Sequence, residues 1–195
     1  IMVYYGDEEF GYQRTRERKR PLNIDYSQPA KSVERALESL MYSCAKSERC
    51  ISDIRRSLYR WRMNKEDYDP IIERLVREKF VDEERYARAY VREKMNCSGW
   101  GRRKIELGLR AKGIPKETIE EALRQIEPER QTEKLELLLY RRLLRERDRG
   151  KSTYELRTRL LRWGVGRGYD FSEVQQVLAQ IMAEDYDPGE DFTRW

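Results

Sequence analysis

Apolar residues recur along this chain at helical spacing, and the pattern itself then recurs as a block. Ile54, Ile105 and Leu156 stand 51 residues apart, and Leu58, Leu109 and Leu160 keep the same step. An apolar column at Met63, Ile114 and Val165 holds the register, as does a column of Trp61, Lys112 and Trp163 whose middle member alone is polar. A fixed period of this length marks stacked copies of one supersecondary unit. Such arrays present a long surface to a partner, which leans toward binding more than catalysis.

Each copy resolves into three amphipathic helices. In the first, Val33, Leu37, Leu40, Met41 and Cys44 share one face, and Ile54, Leu58 and Trp61 mark a second helix. A third has Pro70 in its first turn, where a missing N–H costs little, and buries Ile71 or Ile72, Leu75 and Val76. The second copy opens on the acidic turn Asp82-Glu83-Glu84 and buries Tyr86, Ala89 and Tyr90. Ser98-Gly99-Trp100-Gly101 breaks the chain before the helix of Ile105 and Leu109; Gly113 supplies a left-handed end and Ile114 closes the cap. Pro115 starts a helix carrying Ile119, Leu123 and Ile126.

The third copy buries Leu135, Leu138 and Leu139, then places Ser152 as N-cap before Leu156 and Leu160, with Gly164 and Val165 at the helix end. Val174, Leu178 and Ile181 follow their second-copy counterparts by 55 residues, which assigns four extra residues to the loop of Gly166, Gly168 and Tyr169.

Strand patterning is almost absent. The expected fold is therefore all-α: three tandem three-helix repeats, helix-turn-helix-like, stacked into an elongated and curved body because one unit of this size buries only a marginal core. The division is 1–30 as a flexible or loosely docked N-terminal arm, 31–80 as repeat 1, 81–127 as repeat 2, 128–183 as repeat 3 and 184–195 as an acidic C-terminal tail.

Composition narrows the chemistry. Charged residues make up 39% and hydrophobic ones 38%, which suits thin helical cores with solvated outer faces. The net charge of +5 favours a polyanionic partner, although 36 acidic residues stand against 41 basic ones. With no histidine, the chain lacks an imidazole base, a Ser/His or Cys/His pair and a histidine metal ligand. Cys44, Cys50 and Cys97 are too few for a four-thiolate zinc site and read as buried free thiols of a reducing cytoplasm, with no disulfide. The start shows no signal-peptide pattern, and no apolar run approaches bilayer length. In that setting the glycosylation tripeptide Asn96-Cys97-Ser98 is discounted. No phosphate-cradling loop appears, since Gly164-Val165-Gly166-Arg167-Gly168 ends a helical pattern instead of opening one. No cofactor, metal or catalytic residue is expected.

Basic residues are the candidate chemistry. Arg85, Arg88 and Arg92 form a stripe on the first helix of the second copy, and the next helix adds Arg102, Arg103, Lys104 and Arg110. In the third copy Arg141, Arg142, Arg145 and Arg149 lead to Lys151, Arg157, Arg159 and Arg162, with Glu146, Asp148 and Glu155 as the offsetting acids. Any single arginine is more simply a solvated helix face with an i,i+4 partner. As a set, their fields add, and counterion release can drive binding to phosphate or to an acidic protein. Trp100, between two glycines, is more simply an anchor of the turn than a stacking platform, and Trp61 and Trp163 fall on the inward period.

The runs Phe80-Val81-Asp82-Glu83-Glu84-Arg85-Tyr86-Ala87-Arg88-Ala89-Tyr90, Gly99-Trp100-Gly101-Arg102-Arg103-Lys104-Ile105-Glu106-Leu107 and Lys112-Gly113-Ile114 resemble the central signature of the RecX family, bacterial regulators of RecA recombinase. Asp53-Ile54-Arg55-Arg56-Ser57-Leu58 and Glu155-Leu156-Arg157-Thr158-Arg159-Leu160 are similar to its repeated acidic-apolar-Arg-x-x-Leu element, so the resemblance spans about residues 31 to 183. Arg102 stands where the family usually has proline, and Lys79 where a glycine is common.

The resemblance implies a non-enzymatic protein that binds RecA, lodges along the RecA–DNA filament and suppresses its ATPase and strand exchange in DNA repair and recombination; the lack of a signal-peptide pattern adds the expectation of a cytoplasmic location, and a monomer is expected. Its partners would be RecA, the filament, and single- or double-stranded DNA through phosphate, with no membrane. Charge and placement assign the contacts to Arg85, Arg88, Arg92, Arg102, Arg103, Lys104, Arg110, Arg141, Arg145, Arg149, Arg157 and Arg159. The alternative is a DNA-binding protein of tandem helix-turn-helix-like units, transcriptional or architectural. The second-helix columns speak against it, because their apolar and basic residues suit phosphate more than base edges.

Overall fold

The computed structural model describes residues 30–147 and 152–183. Residues 1–29 of the expected arm, the site candidate Arg149 and the tail 184–195 lie outside the described residues. Within them the regular structure is helical throughout, without a strand: α1 (Val33–Lys46), α2 (Ile51–Arg60), α3 (Tyr68–Arg77), α4 (Glu83–Asn96), α5 (Arg102–Ala111), α6 (Lys116–Arg124), α7 (Pro128–Arg147), α8 (Thr153–Gly166) and α9 (Phe171–Ile181). No described helix is long and apolar enough to cross a membrane.

The 51-residue period is visible in the helix starts, because α2, α5 and α8 begin at Ile51, Arg102 and Thr153. Their ends differ. α2 and α5 have 10 residues each and α8 has 14, so the four extra residues lengthen a helix by about one turn instead of enlarging a loop. This moves the cap. Arg62, Gly113 and Gly168 take left-handed φ values of 59°, 79° and 89° just beyond the three helices. Beside them the N–H groups of Met63, Ile114 and Tyr169 donate back to the carbonyls of Leu58, Leu109 and Gly164, satisfying acceptors that a helix end leaves open. The third member of the apolar capping column is therefore Tyr169, which is 1% exposed, and not Val165, which is 38% exposed on the lengthened helix.

Sequence also sets the helix starts. Ser152 accepts from the N–H of Glu155, whose carboxylate accepts from the Ser152 N–H, a reciprocal capping box. Asp82 accepts from the N–H of Arg85 at 3.0 Å, and that hydrogen bond holds its carboxyl below the ordinary range. Ser32 does the same for α1 through the Arg35 N–H.

The described chain falls into two compact units, one of residues 30–91 with Gly108–Gln125, the other of Arg92–Leu107 with 126–147 and 152–183. In the first, α1 and α2 pack on α3 around Leu37, Leu40, Ile54, Leu58, Ile71 and Leu75. In the second, α7, α8 and α9 pack mutually around Leu135, Leu139, Leu160, Tyr169, Val174 and Leu178. Several inward assignments shift by a position. Both Ile71 and Ile72 are buried and Val76 is exposed; Ala87 and Val91 are buried where Ala89 and Tyr90 are only half-buried. Val33, Met41, Trp61, Leu138 and Trp163 are half-buried, and Cys97 is exposed while Cys44 and Cys50 are buried.

Lys79 ends α3 at φ 60°, with the Phe80 N–H returning to the Leu75 carbonyl at 2.9 Å. A side chain in the left-handed region costs about 1–2 kcal/mol, partly offset by the larger unfolded-state entropy of glycine. Lys79→Gly is expected to stabilise the protein by about 0.5–1 kcal/mol in chemical unfolding, because the Lys79 side chain is exposed. A loss of stability would contradict this account of the cap.

Candidate functional site

In the unit of Arg92–Leu107 with 126–147 and 152–183, two glycine-flanked residues bring two loops together. Trp100 lies between Gly99 and Gly101, and Arg167 between Gly166 and Gly168. The Gly101 N–H donates to the Arg167 carbonyl at 2.8 Å, the Arg103 N–H to the Gly168 carbonyl at 3.1 Å, and the Arg167 guanidinium to the Ser98 carbonyl. Only glycine permits this approach. A Cβ on Gly101 would lie 2.5 Å from the Gly168 carbonyl carbon, and one on Gly168 2.4 Å from the Lys104 nitrogen.

The loops gather cations on aromatic faces. Lys94 Nζ lies 5.4 Å and Lys104 Nζ 4.8 Å from the Trp100 ring centre; the Arg167 and Arg142 guanidinium carbons lie 4.6 and 5.1 Å from that of Trp163. Each is within range of the ring quadrupole, an attraction of about 0.5–1 kcal/mol for partly exposed groups. Lys104 also donates to the Gly166 carbonyl at 3.3 Å. Burial, then the Arg167 charge, lower the Lys104 pKa. Burial likewise lowers that of Arg167, with Tyr169 opposing and Arg142 adding to the shift.

The candidate arginines fall into several settings. Arg88, Arg92, Arg102, Arg110, Arg145 and Arg157 are exposed, with Arg88 3.7 Å from Glu84 and the Arg145 Nε donating to the Arg141 carbonyl at 3.1 Å. Arg103 is exposed and ion-paired to Asp170, and Arg141 is half-buried. Arg85 instead ties its own unit together: it donates to Glu48 at 2.7 Å and to the carbonyls of Lys79 and Phe80 at the end of α3. The Glu48 hydrogen bond, opposed by burial, holds its pKa above the ordinary value. Arg159 lies 3.6 Å from Glu146, a carboxylate only 4% exposed that also meets Arg142 at 2.8 Å. Glu146, expected as a surface offset, is a buried counter-ion between α7 and α8.

Sequence reasoning passed over Lys94, Arg167 and Trp163 as members of this cluster. The available signal was Arg167 between two glycines, the same frame that drew notice to Trp100. In the other unit, the ammonium of Lys112 donates to Asp53 at 2.6 Å, which explains the polar member of the column it shares with Trp61 and Trp163. Among the described residues no three histidine, cysteine, aspartate or glutamate side chains gather as a metal site.

The 51-residue step of the helix starts at Ile51, Arg102 and Thr153, in a chain whose described regular structure is all helical, defines a tandem helical-repeat protein. Residues 82–123, which hold α4, α5 and all but the last residue of α6, match the profile of RecX, second three-helix domain. Over 151 residues the chain is 30% identical to a regulatory protein RecX of Clostridium botulinum strain Eklund 17B, covering 72% of this chain and 70% of that one. The chain belongs to the RecX family. Its fold is similar to the crystal structure of a regulatory protein RecX, with TM-score 0.67, 26% identity and coverage of 75% of this chain and 73% of that one. It also matches the fold of RecX from Lactobacillus salivarius at TM-score 0.64 and 21% identity, over 76% of this chain and 96% of that one.

Proposed function

We propose that this protein binds RecA and the RecA–DNA filament in the cytoplasm and inhibits the recombinase's ATPase and strand exchange, in DNA repair and recombination. It acts as a monomeric binding protein with no catalytic step of its own. The observation that carries this reading is family membership, since relatives that share 30% identity over most of the chain are named regulatory proteins. The charge distribution supports it. Exposed Arg88, Arg92, Arg102, Arg110, Arg145 and Arg157 lie on four helices, and several weak contacts on one chain multiply into useful avidity against a repeating polymer.

The test is DNA-dependent ATP hydrolysis by RecA with the protein titrated in, where inhibition below one protein per recombinase is expected. Hydrolysis unchanged at equimolar protein, with tight binding to a specific duplex at physiological salt, would replace this reading by the tandem helix-turn-helix one. Arg88→Ala with Arg92→Ala should raise the half-inhibiting concentration about tenfold, since two exposed ionic contacts together contribute on the order of 1–2 kcal/mol. Thermal stability should be kept. Arg85→Ala is a poorer probe, because it also removes the contacts to Glu48 and to the end of α3.

A further inference from the structure

We propose that the outward face of α8 is a docking surface for a single acidic amphipathic helix of a partner protein. It is a contact beyond those the filament reading assigns, and it stands without that reading. Tyr154, Thr158, Leu161 and Val165 follow one another at steps of 4, 3 and 4 residues, the alternation of d and a positions in a heptad seam. At the helical repeat they lie within about 60° of arc, away from the buried Leu156 and Leu160 that join α8 to the core it shares with α7 and α9. Tyr154 is 78% exposed and Val165 is exposed too, while Thr158 and Leu161 are half-buried. No charge interrupts this line, which runs about 17 Å along the helix.

The sister helices show that the fold does not require such a face. One 51-residue step back, on α5, the positions of Tyr154, Thr158 and Leu161 are held by Arg103, Leu107 and Arg110; one step further, on α2, they are held by Ser52, Arg56 and Tyr59. Each of those lines carries one apolar side chain and at least one guanidinium, as a solvated face does. α8 carries Tyr154 and Leu161 with no charge between them, and its added turn supplies Val165 as a third. Apolar groups gathered in a row at the surface mark a place where another molecule is buried.

Position by position, the seam selects its occupant. The β-branched Thr158 and Val165 fall at a and Leu161 at d, a combination that favours pairing with one helix over larger bundles. Arg157 and Arg162 fall at the flanking g and e positions, and both are exposed. Glu155, the acid at the remaining flank, is engaged with Ser152 in the capping box. A partner helix with carboxylates beside its own apolar seam therefore meets opposite charge. Arg162 also keeps a contact within this chain, so the acidic preference rests chiefly on Arg157. A second copy of this chain is disfavoured, because parallel pairing of two α8 seams sets the Arg157 side chain of one copy against the Arg162 side chain of the other. A nucleic-acid strand fits poorly, since Leu161 and Val165 offer neither charge to a phosphate nor an aromatic face to a base.

The probe is a labelled synthetic helix of about three heptads, with isoleucine at a, leucine at d and glutamate at e and g, titrated with the full chain in fluorescence anisotropy beside a counterpart with lysine at e and g. The acidic peptide is expected to bind saturably, about 5- to 10-fold tighter than the lysine one near 0.1 M salt. Tyr154→Gln with Val165→Gln should weaken the acidic peptide by about tenfold or more at an unchanged melting temperature, since both side chains are exposed. Should that pair lower the melting temperature, Tyr154→Gln alone decides. Arg157→Glu should erase or reverse the preference between the two peptides. No binding of the acidic peptide, equal binding of the two peptides, or undiminished binding by the folded glutamine variant overturns the docking face. Oligothymidylate whose affinity falls with the glutamine substitutions as far as the peptide's does overturns it in favour of a nucleic-acid strand. A wild-type chain that sediments as a dimer, with the glutamine variant a monomer, overturns it in favour of a second copy.

Discussion

Gly168→Ala is expected to lower the unfolding free energy by about 3 kcal/mol, combining about 1–2 for a side chain in the left-handed region with about 1–3 for overpacking. Both apply here. Gly168 sits at φ 89°, and its added methyl would fall 2.4 Å from the Lys104 backbone nitrogen, an atom that cannot swing aside. The melting temperature should drop by roughly 6–12 °C for a chain of this size. Gly113 supplies the control, because it has φ 79° and a methyl added there would meet nothing within 4 Å. Gly113→Ala should therefore show only the backbone part, about 1–2 kcal/mol. Equal losses for the two would mean that the contact between the Gly168 loop and α5 is not tight.

Lys112→Met should destabilise by about 2 kcal/mol at neutral pH, less than the 3–5 seen when a fully buried pair is broken because these side chains retain some water. The side chains are 25% and 14% exposed for Lys112 and Asp53. Burial pushes the Asp53 carboxyl up, but hydrogen bonds from Lys112 and from the Cys50 thiol, with the charges of Lys112 and Arg56, outweigh it and hold the group below its usual value. In the wild type the pair's contribution is complete above the ordinary aspartate range, and it is lost as pH falls through the lowered folded value. In the variant the largest favourable influence is gone and burial remains, so the carboxyl moves up and protonation brings relief. The stability gap should narrow as pH falls from about 5 to about 3, the span over which an aspartate titrates. A gap that stays constant to pH 3 would show that Lys112 contributes packing and not charge.

Much of the fold was legible because its determinants are local and repeated. The columns of Ile54 and Leu58, the Gly113 cap and the Ser152 N-cap each depend on spacing along a helix or on one turn. The column member Val165 misled because the added turn lies before the cap, so counting from the start of α8 keeps register and counting through to its end does not. Part of the candidate site was hidden for a different reason. Arg85, Arg159 and Glu146 look like any solvated charge in sequence, and only tertiary neighbours, 37 residues away for Arg85 and Glu48, turn them into internal ties. Arg167 needed Ser98, 69 residues earlier, to become part of a cluster.

The extra turn of α8 bears on how such a module can vary in length. Four residues add about 6 Å along the axis and about 40° of net rotation, so the buried face of the helix is nearly preserved. Growth by two residues would swing that face toward water. A helical module of this kind tolerates insertions in whole-turn steps, and such a step relocates the connecting loop without dismantling the core beneath it. Here it delivers the Arg167 carbonyl to the amide of Gly101. Natural variation in this lineage is then expected to cluster at differences of three to four residues or multiples of them, with whatever the loop displays shifting outward by one notch each time.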